Sequence, residues 1–159
     1  MKKYLLITAI LFLSCIANAQ TEIRKEYFDN GKLKSETPYV NGEVSGNKKT
    51  YFTNGKLAST TPFVNGNISG IVKKYYENGK IERETTCVND TITGVVKRYY
   101  ENGILKSETA YVKNSINGTE KIYHENGKLK YVTEYINNEQ IGDVKAYDKN
   151  GKLFVPKNQ

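Results

Sequence analysis

The chain contains the stretch Tyr99-Tyr100-Glu101-Asn102-Gly103-Ile104-Leu105-Lys106-Ser107-Glu108, and close copies of this stretch recur at a fixed distance. The copies begin at Tyr27, Tyr51, Tyr75, Tyr123 and Tyr147, so neighbouring copies are 24 residues apart with no insertion or deletion. A fixed period of this size indicates a repeat architecture in which each unit packs against its neighbours. The sequence of one repeat therefore predicts the fold of almost the whole chain.

Each period contains two turn signals, separated by runs that are rich in Tyr, Val, Ile and Thr. The first signal in the repeat 71–94 is Asn78-Gly79, and Asn-Gly between such runs favours a two-residue type I′ hairpin turn. The second signal falls half a period later, at Asn41-Gly42, Asn65-Gly66, Asn89-Asp90, Lys113-Asn114 and Asn137-Asn138. We therefore predict an all-β fold, an elongated antiparallel β-meander built from 24-residue hairpin repeats.

A two-residue loop at Asn78-Gly79 also predicts which residues face each other across the hairpin. It pairs Tyr76 with Ile81, Lys74 with Arg83 and Lys73 with Glu84, and side chains alternate between the two faces of a strand. One face, the apolar face, then carries Val72, Tyr76, Ile81, Thr85, Cys87, Ile92 and Gly94, together with Lys74 and Arg83. The other, the polar face, carries Lys73, Tyr75, Glu82, Glu84 and Val88. This register predicts the ion pairs Lys25–Glu36, Lys73–Glu84 and Lys97–Glu108.

A column of glycines also falls on the apolar face, at Gly46, Gly70, Gly94, Gly118 and Gly142. A missing side chain in a strand leaves room for a close neighbour or for a bend. We expect each of these glycines to accommodate an aromatic ring or to let the sheet bend.

The first residues of the chain have the features of a secretory signal peptide. Met1-Lys2-Lys3 is a basic start, the apolar run 4–15 is too short to span a membrane, and Ala17-Asn18-Ala19 is a small-residue cleavage site. We therefore expect 1–19 to be removed and 20–159 to be an exported array of about five and a half repeats. The expected location is the periplasm, the cell surface or the medium.

An alternative concerns Cys15. The stretch Phe12-Leu13-Ser14-Cys15 is similar to a bacterial lipobox, although its Leu lies one place late. Lipidation at Cys15 would tether the protein to a membrane, whereas cleavage after Ala19 would release it.

Composition excludes several classes of function. The formal net charge is +7, and loss of Lys2 and Lys3 with the signal peptide lowers it to +5. Only Cys87 then remains, so no internal disulfide can form. Cys87 stands in a column that holds Tyr or Phe in other repeats, and His124, the one histidine, is far from it. These two residues form neither a zinc site nor a thiol-protease pair, and we predict no catalytic residues, no metal and no cofactor.

The repeat pattern YYENG-x-LKSET-x-YV-x-N-x-x-x-G-x-x-K resembles the MORN-variant repeats of a bacterial group often called YwqK-like. The resemblance runs from Arg24 to Leu153. Trp, frequent before the paired tyrosines in that family, is absent here, and Val72, Val96 and Val144 stand at its place. The resemblance implies a non-enzymatic repeat scaffold. Some members are labelled antitoxins, and related MORN repeats are described as membrane-binding or protein-binding modules.

Three functions remain open from the sequence. An exported interaction module would bind a protein or a cell-envelope component along its repeated surface. An antitoxin or immunity protein would need a toxin that meets it outside the cytoplasm. A binder of anionic lipids or glycans would use the Lys and Tyr columns, while nucleic-acid binding is disfavoured because Glu and Lys alternate on that face. The binding residues that we predict are Lys73, Tyr75, Lys97 and Tyr99.

Overall fold

The computed structural model describes residues 20–154, and in this range the chain is all-β. The predicted signal peptide, including Cys15, and residues 155–159 lie outside the described part. No helix in the described range could span a lipid bilayer. The strands are β1 (Thr21–Tyr27), β2 (Leu33–Val40), β3 (Glu43–Val44), β4 (Gly46–Tyr51), β5 (Leu57–Val64), β6 (Asn67–Ile68), β7 (Gly70–Tyr75), β8 (Ile81–Val88), β9 (Thr91–Ile92), β10 (Gly94–Tyr99), β11 (Leu105–Val112), β12 (Ser115–Tyr123), β13 (Leu129–Ile136), β14 (Glu139–Tyr147) and β15 (Leu153–Phe154).

The strands form one open antiparallel sheet in which chain order is spatial order. The path runs β1-β2-β4-β5-β7-β8-β10-β11-β12-β13-β14-β15, and the two-residue strands β3, β6 and β9 pair with β2, β5 and β8. Each period thus contributes one hairpin to a continuous meander. The predicted fold class, an antiparallel meander of hairpin repeats, is confirmed.

The first turn of each repeat differs from its prediction. In the turn at Asn78-Gly79, the Gly79 amide donates to the Tyr76 carbonyl, and the Tyr76 amide donates to the Lys80 carbonyl, both at 2.9 Å. Gly79 has a positive φ of 88°, but Asn78 does not. This geometry is a three-residue loop, a type I turn closed by a glycine bulge, and the prediction of a two-residue type I′ turn here is wrong.

The side chain of Asn78 explains why asparagine suits this turn. Its Oδ1 accepts a 2.9 Å hydrogen bond from the Lys80 amide, and Asn54, Asn102 and Asn126 make the same bond in their repeats. Such side-chain bonds stabilise a turn locally. Asparagine therefore acts through its side chain here, and only the glycine needs the left-handed backbone.

The longer loop shifts the pairing next to the turn by one residue. Lys73 lies opposite Glu84 and Lys74 opposite Arg83, as predicted, but Tyr75 rather than Tyr76 lies opposite Ile81. The shift leaves Glu82 as an extra residue of the bulge. Glu82 was predicted on the polar face, whereas it lines a cleft together with Arg83 of the apolar face.

The type I′ turns occur half a period later. Both central residues have positive φ in every one of these turns, for example 47° at Asn65 and 80° at Gly66. In the four turns after Asn41-Gly42, the amide of the second turn residue donates to a carbonyl of the preceding repeat, as in Gly66 to Val44 at 2.9 Å. In three later repeats the side chain of this residue also accepts a bond from that repeat, in the pairs Asp90–Ile68, Asn114–Ile92 and Asn138–Ile116.

Hydrogen bonds at the first turns also join neighbouring repeats. The Tyr76 hydroxyl donates to the Tyr99 carbonyl at 2.6 Å, and Lys80 Nζ donates to the Asn102 carbonyl at 2.7 Å. Tyr100 and His124 occupy the column of Tyr76 and bond to the carbonyls of Tyr123 and Tyr147. The acceptor is a carbonyl, so Nε2 of His124 carries the proton. His124 thus makes the same bond to the following repeat that Tyr76 and Tyr100 make in their repeats.

The small core lies on the apolar face. The buried residues of the described range are Ser35, Thr85, Cys87, Val96, Thr109, Thr133 and Ala146, and strand alternation places all of them on that face. The packing position predicted for Cys87 is confirmed, and burial raises the pKa of its thiol. No large side chain in 20–154 is fully buried, so a single sheet covers its core only in part.

The glycine column has a different neighbour from the one predicted. A Cβ built on Gly70 would lie 2.8 Å from Cγ of Pro62, and one on Gly46 would lie 3.2 Å from Cγ of Pro38. Gly70 also has a positive φ of 129°. The expected aromatic ring is therefore wrong for these repeats, because the residue that approaches the glycine is a proline on the preceding strand.

Candidate functional site

A row of directly opposed residues crosses the polar face from β1 to β14. Its members, strand by strand, are Lys25, Glu36, Lys49, Thr60, Lys73, Glu84, Lys97, Glu108, Lys121, Val132 and Lys145. Opposed residues in a sheet have Cβ atoms about 5 Å apart, so the side chains of this lysine row touch their neighbours. The row combines a regular cationic column with acids on most of the strands between.

The three ion pairs predicted from the register are confirmed. The distances from lysine Nζ to carboxylate oxygen are 3.5 Å for Lys25–Glu36, 3.2 Å for Lys73–Glu84 and 3.6 Å for Lys97–Glu108. The lysine side chains remain 37–48% exposed. Pairs this exposed contribute about 0.2–1 kcal/mol each, so they support the register more than the stability.

The glutamates of the lysine row also accept hydrogen bonds from tyrosine hydroxyls. The hydroxyls of Tyr51, Tyr99 and Tyr123 donate to Glu36, Glu84 and Glu108 at 2.7, 2.9 and 3.0 Å. Burial, and then the bond to Glu84, raises the pKa of Tyr99 to about 12. Partial burial acts to raise the pKa of Glu84, but the Tyr99 bond and the nearby lysines outweigh it and lower that pKa overall.

The four predicted binding residues lie on this row or beside it. Lys73 and Lys97 belong to the row, and each forms an ion pair with the glutamate of the following strand. Tyr99 bonds to Glu84, which lies between the two lysines, and Tyr75 lies next to Lys73 near the turn. All four are half-buried rather than fully exposed. The structure brings them together within two adjacent hairpins.

The row is interrupted at two places where the acid is missing. Thr60 lies between Lys49 and Lys73, and Val132 lies between Lys121 and Lys145. With six lysines and three glutamates, the row has a formal charge of +3. The unbalanced charge is concentrated around Thr60 and Val132.

An exposed aliphatic column runs parallel to the lysine row, four residues along the strand from it. Its members end the long strand of each repeat and are 50–53% exposed: Val64, Val88, Val112 and Ile136. Strand alternation places them on the polar face. Sequence reasoning placed Val88 on this face without selecting it as a site, although the 24-residue recurrence of Val and Ile was the available signal. The polar face therefore presents a cationic and an aliphatic column that run parallel to each other across the strands.

No metal centre is present in the part of the chain that the structure describes. It contains no group of three or more His, Cys, Asp or Glu side chains that could hold an ion. Cys87 is buried and His124 is bonded to a backbone carbonyl. Neither residue has the exposed partner that nucleophilic chemistry requires.

An open meander of 24-residue hairpins, with its side-chain columns repeated on each unit, is the architecture of a β-repeat scaffold. The chain belongs to the MORN repeat variant family, which matches it in five segments, 23–41, 45–65, 68–89, 92–114 and 116–137. Scaffolds of this type are typically non-catalytic. A comparison with curated proteins gave no match.

Proposed function

We propose that this protein is an exported, non-enzymatic scaffold that binds a partner protein or a cell-envelope component through its polar face. The observation that carries this proposal is the exposed aliphatic column on the same face as the lysine row. Aliphatic side chains that recur on one face of a sheet, with charged residues beside them, are typical of an interaction surface. The rigid spacing of the repeats suits a partner that is extended along the sheet.

The residues that we assign to binding are Lys73, Tyr75, Lys97 and Tyr99, together with Val88 and Val112. Val88 ends β8 and Val112 ends β11, so they flank the strand that carries Lys97 and Tyr99. An antitoxin or immunity protein would be one case of this function, with a toxin as the partner.

A second candidate is binding to an anionic lipid or glycan surface. It is favoured by the charge of +3 along the lysine row, which concentrates around Thr60 and Val132. Binding of this kind falls steeply as salt is raised, whereas binding through the aliphatic column does not. Binding that is lost in high salt and does not depend on Val88 or Val112 would therefore favour the second candidate.

The proposal is tested by retention of envelope components on the immobilised protein. The variant Val88→Ser with Val112→Ser removes aliphatic surface, and Lys73→Gln with Lys97→Gln removes charge at similar side-chain length. Lys34→Gln, at an exposed lysine outside the row, is the matched control. We expect both double variants to lose the partner and the control to keep it. Thermal unfolding should be unchanged in the valine variant and the control, and slightly lowered in the lysine variant, which loses two ion pairs. Equal retention by all variants would remove the polar face as the site.

Export is tested separately. Cells that express the natural chain are fractionated, and the intact mass of the protein is measured. We expect a chain that begins at Gln20 and lies outside the cytoplasm. A lipid-sized mass increment on a chain that begins at Cys15 would instead indicate a tethered protein, and an uncleaved cytosolic chain would contradict export.

A further inference from the structure

Three cations lie directly opposite one another on adjacent strands of the apolar face. Lys74 of β7 pairs with Arg83 of β8, and Arg83 pairs with Arg98 of β10. In the other strands the same row holds Glu26, Ser35, Thr50, Ser59, Ser107, Ile122, Tyr131 and Ala146. The three consecutive cations are therefore a local departure from the repeat, in its third and fourth units.

These cations have no acidic partner among residues 20–154. The ion pairs of that range involve Arg24, Lys25, Lys73 and Lys97, and none involves Lys74, Arg83 or Arg98. Like charges directly opposite each other destabilise a sheet. A sequence that breaks a local rule in this way usually does so at a functional site.

Arg83 and Arg98 line a cleft of about 250 Å³ with Tyr76, Glu82, Tyr99 and Lys106. Glu82 and Lys106 are the extra residues of their bulges, because Ile81 and Arg83 pair with consecutive residues of β7, and Leu105 and Ser107 pair with consecutive residues of β10. Lys106 Nζ lies 5.5 Å from the centre of the Tyr100 ring. The cleft has three cations and one carboxylate, hence a formal charge of +2.

We propose that this cleft binds a phosphate monoester. A phosphate monoester has a charge of about −1.5 to −2 at neutral pH, which matches the +2 of the cleft. Two guanidinium groups on neighbouring strands supply planar pairs of donors that fit phosphate oxygens, and Lys106 adds a point charge. The Glu82 carboxylate would accept a hydrogen bond from a free hydroxyl of the alcohol part where the ester has one, as glycerol 3-phosphate does. The volume holds the phosphate and a few atoms attached to it, so the rest of the ligand lies outside the cleft.

Arg83 and Arg98 lie on the opposite face from the lysine row, and Tyr99 is the one partner-binding residue that also lines the cleft. Its ligand relieves the repulsion between Arg83 and Arg98, so binding stabilises the fold. The same chemistry could come from a soluble ester or from the headgroup of a lipid such as phosphatidic acid, and the two sources differ in experiment.

The test follows thermal unfolding of the full chain in increasing glycerol 3-phosphate or inorganic phosphate, with sodium chloride at equal ionic strength as reference. Arg83→Ser introduces the residue that the same column has at Ser35, Ser59 and Ser107, and Arg98→Thr introduces the residue found at Thr50. Lys34→Ala is the control, because Lys34 occupies the column of Lys106 in a repeat where the columns of Arg83 and Arg98 hold Ser35 and Glu26.

We expect both glycerol 3-phosphate and inorganic phosphate to raise the Tm of the natural chain and of the control. Arg83→Ser and Arg98→Thr should weaken the apparent affinity by about tenfold or more. Without phosphate, both variants should be at least as stable as the natural chain, since each removes repulsion. If an arginine had only a structural role, its replacement would instead lower the stability.

A second arm measures flotation with phosphatidylcholine vesicles that contain or lack phosphatidic acid. Binding only to the acidic vesicles, lost in Arg83→Ser, would support the proposal with a lipid as the source. If neither free phosphate nor vesicles show binding that depends on Arg83, the proposal is wrong. Because the variants leave the lysine row and Val88 intact, this failure would not affect the proposed partner surface.

Discussion

The hydroxyl of Tyr99 donates a 2.9 Å hydrogen bond to the carboxylate of Glu84, which lies 15 residues earlier in the chain. The same separation joins Tyr51 to Glu36 and Tyr123 to Glu108. Each tyrosine bonds to an acid of the lysine row on the adjacent preceding strand. This bond connects one repeat to the previous one on the polar face, and in the Tyr99–Glu84 pair it raises the pKa of the tyrosine and lowers that of the glutamate.

Replacement of Tyr99 by Phe should lower the free energy of unfolding at neutral pH by about 1–2 kcal/mol, because a half-buried carboxylate loses a donor. The matched control is Tyr75→Phe. In the described part of the chain the Tyr75 hydroxyl has no carboxylate partner, since Thr60 stands 15 residues before it. Urea unfolding of both variants measures the difference, and equal losses would contradict the role of the Glu84 bond.

The raised pKa of Tyr99 also predicts a pH dependence. Its pKa is 10.0 in a model compound and about 12 in the fold, so its contribution to stability is complete below pH 10 and is lost as pH rises through 12. Between these values the natural chain should lose more stability than Tyr99→Phe does. Urea unfolding across this range gives the comparison, and parallel curves for the two proteins would show that Tyr99 makes no such contribution.

Thr60→Glu should stabilise the protein by about 1 kcal/mol, because it completes an interrupted part of the lysine row. The new carboxylate would lie between Lys49 and Lys73 and within reach of the Tyr75 hydroxyl. Thr60→Gln, which has the same length without the charge, is the control. The difference in urea midpoint between these variants should shrink in high salt. A glutamine variant as stable as the glutamate variant would rule out the ionic explanation.

Gly66→Asn should raise stability by about 0.5–1 kcal/mol through a new bond to the preceding repeat. In later repeats the corresponding Asp90, Asn114 and Asn138 side chains accept an amide bond from the residue 22 places earlier. For Gly66 that residue is Val44. The φ of 80° suits asparagine, and no atom lies within 4 Å of the added Cβ.

Gly55→Asn is the control for this change, because Gly55 has a similar φ of 87° in a first turn, where the glycine of each repeat has no such bond. It should lower stability by about 1 kcal/mol. Chemical unfolding measures both variants. A loss of stability in Gly66→Asn as large as in Gly55→Asn would show that no bond to Val44 forms.

Gly70→Ala should lower stability by about 3 kcal/mol, from backbone strain and from overlap with Pro62. Gly142→Ala is in the same column with a positive φ of 69°, near the left-handed region, and no atom lies within 4 Å of its added Cβ, so only a smaller backbone strain remains. Calorimetric unfolding compares the two. Adding Pro62→Ala to Gly70→Ala should recover the excess loss, and additive effects of these two changes would contradict the close approach.

The register of the hairpins could be predicted because several signals agree. The period-two alternation, the Lys–Glu pairs and the exact 24-residue recurrence select one pairing, and Lys73–Glu84 lies where that pairing puts it. The turn type could not be predicted from Asn78-Gly79 alone. A type I turn with a glycine bulge and a type I′ turn both favour glycine at the last position, so the sequence satisfies either geometry.

The cleft that two hairpins form could not be predicted from the sequence. Arg83 was noticeable as a departure from its column, but its proximity to Arg98 depends on the β8–β10 register, which is set across a type I′ turn and the short strand β9. The bulge then moves Glu82 and Lys106 into the same cleft. Simple alternation assigns such bulge residues to the wrong face.

The bonds at the first turns all point in one direction along the array. The side chains of Tyr76 and Lys80 donate to carbonyls of the following repeat. These side-chain bonds are separate from the backbone bonds that close the hairpin. Each unit therefore presents a donor side to its successor, and one period can be inserted or deleted without altering the units around it. Each insertion adds two strands, or roughly 10 Å of length. The length of the sheet is therefore set by the number of repeats, and natural or engineered changes in repeat number would change the distance that it spans.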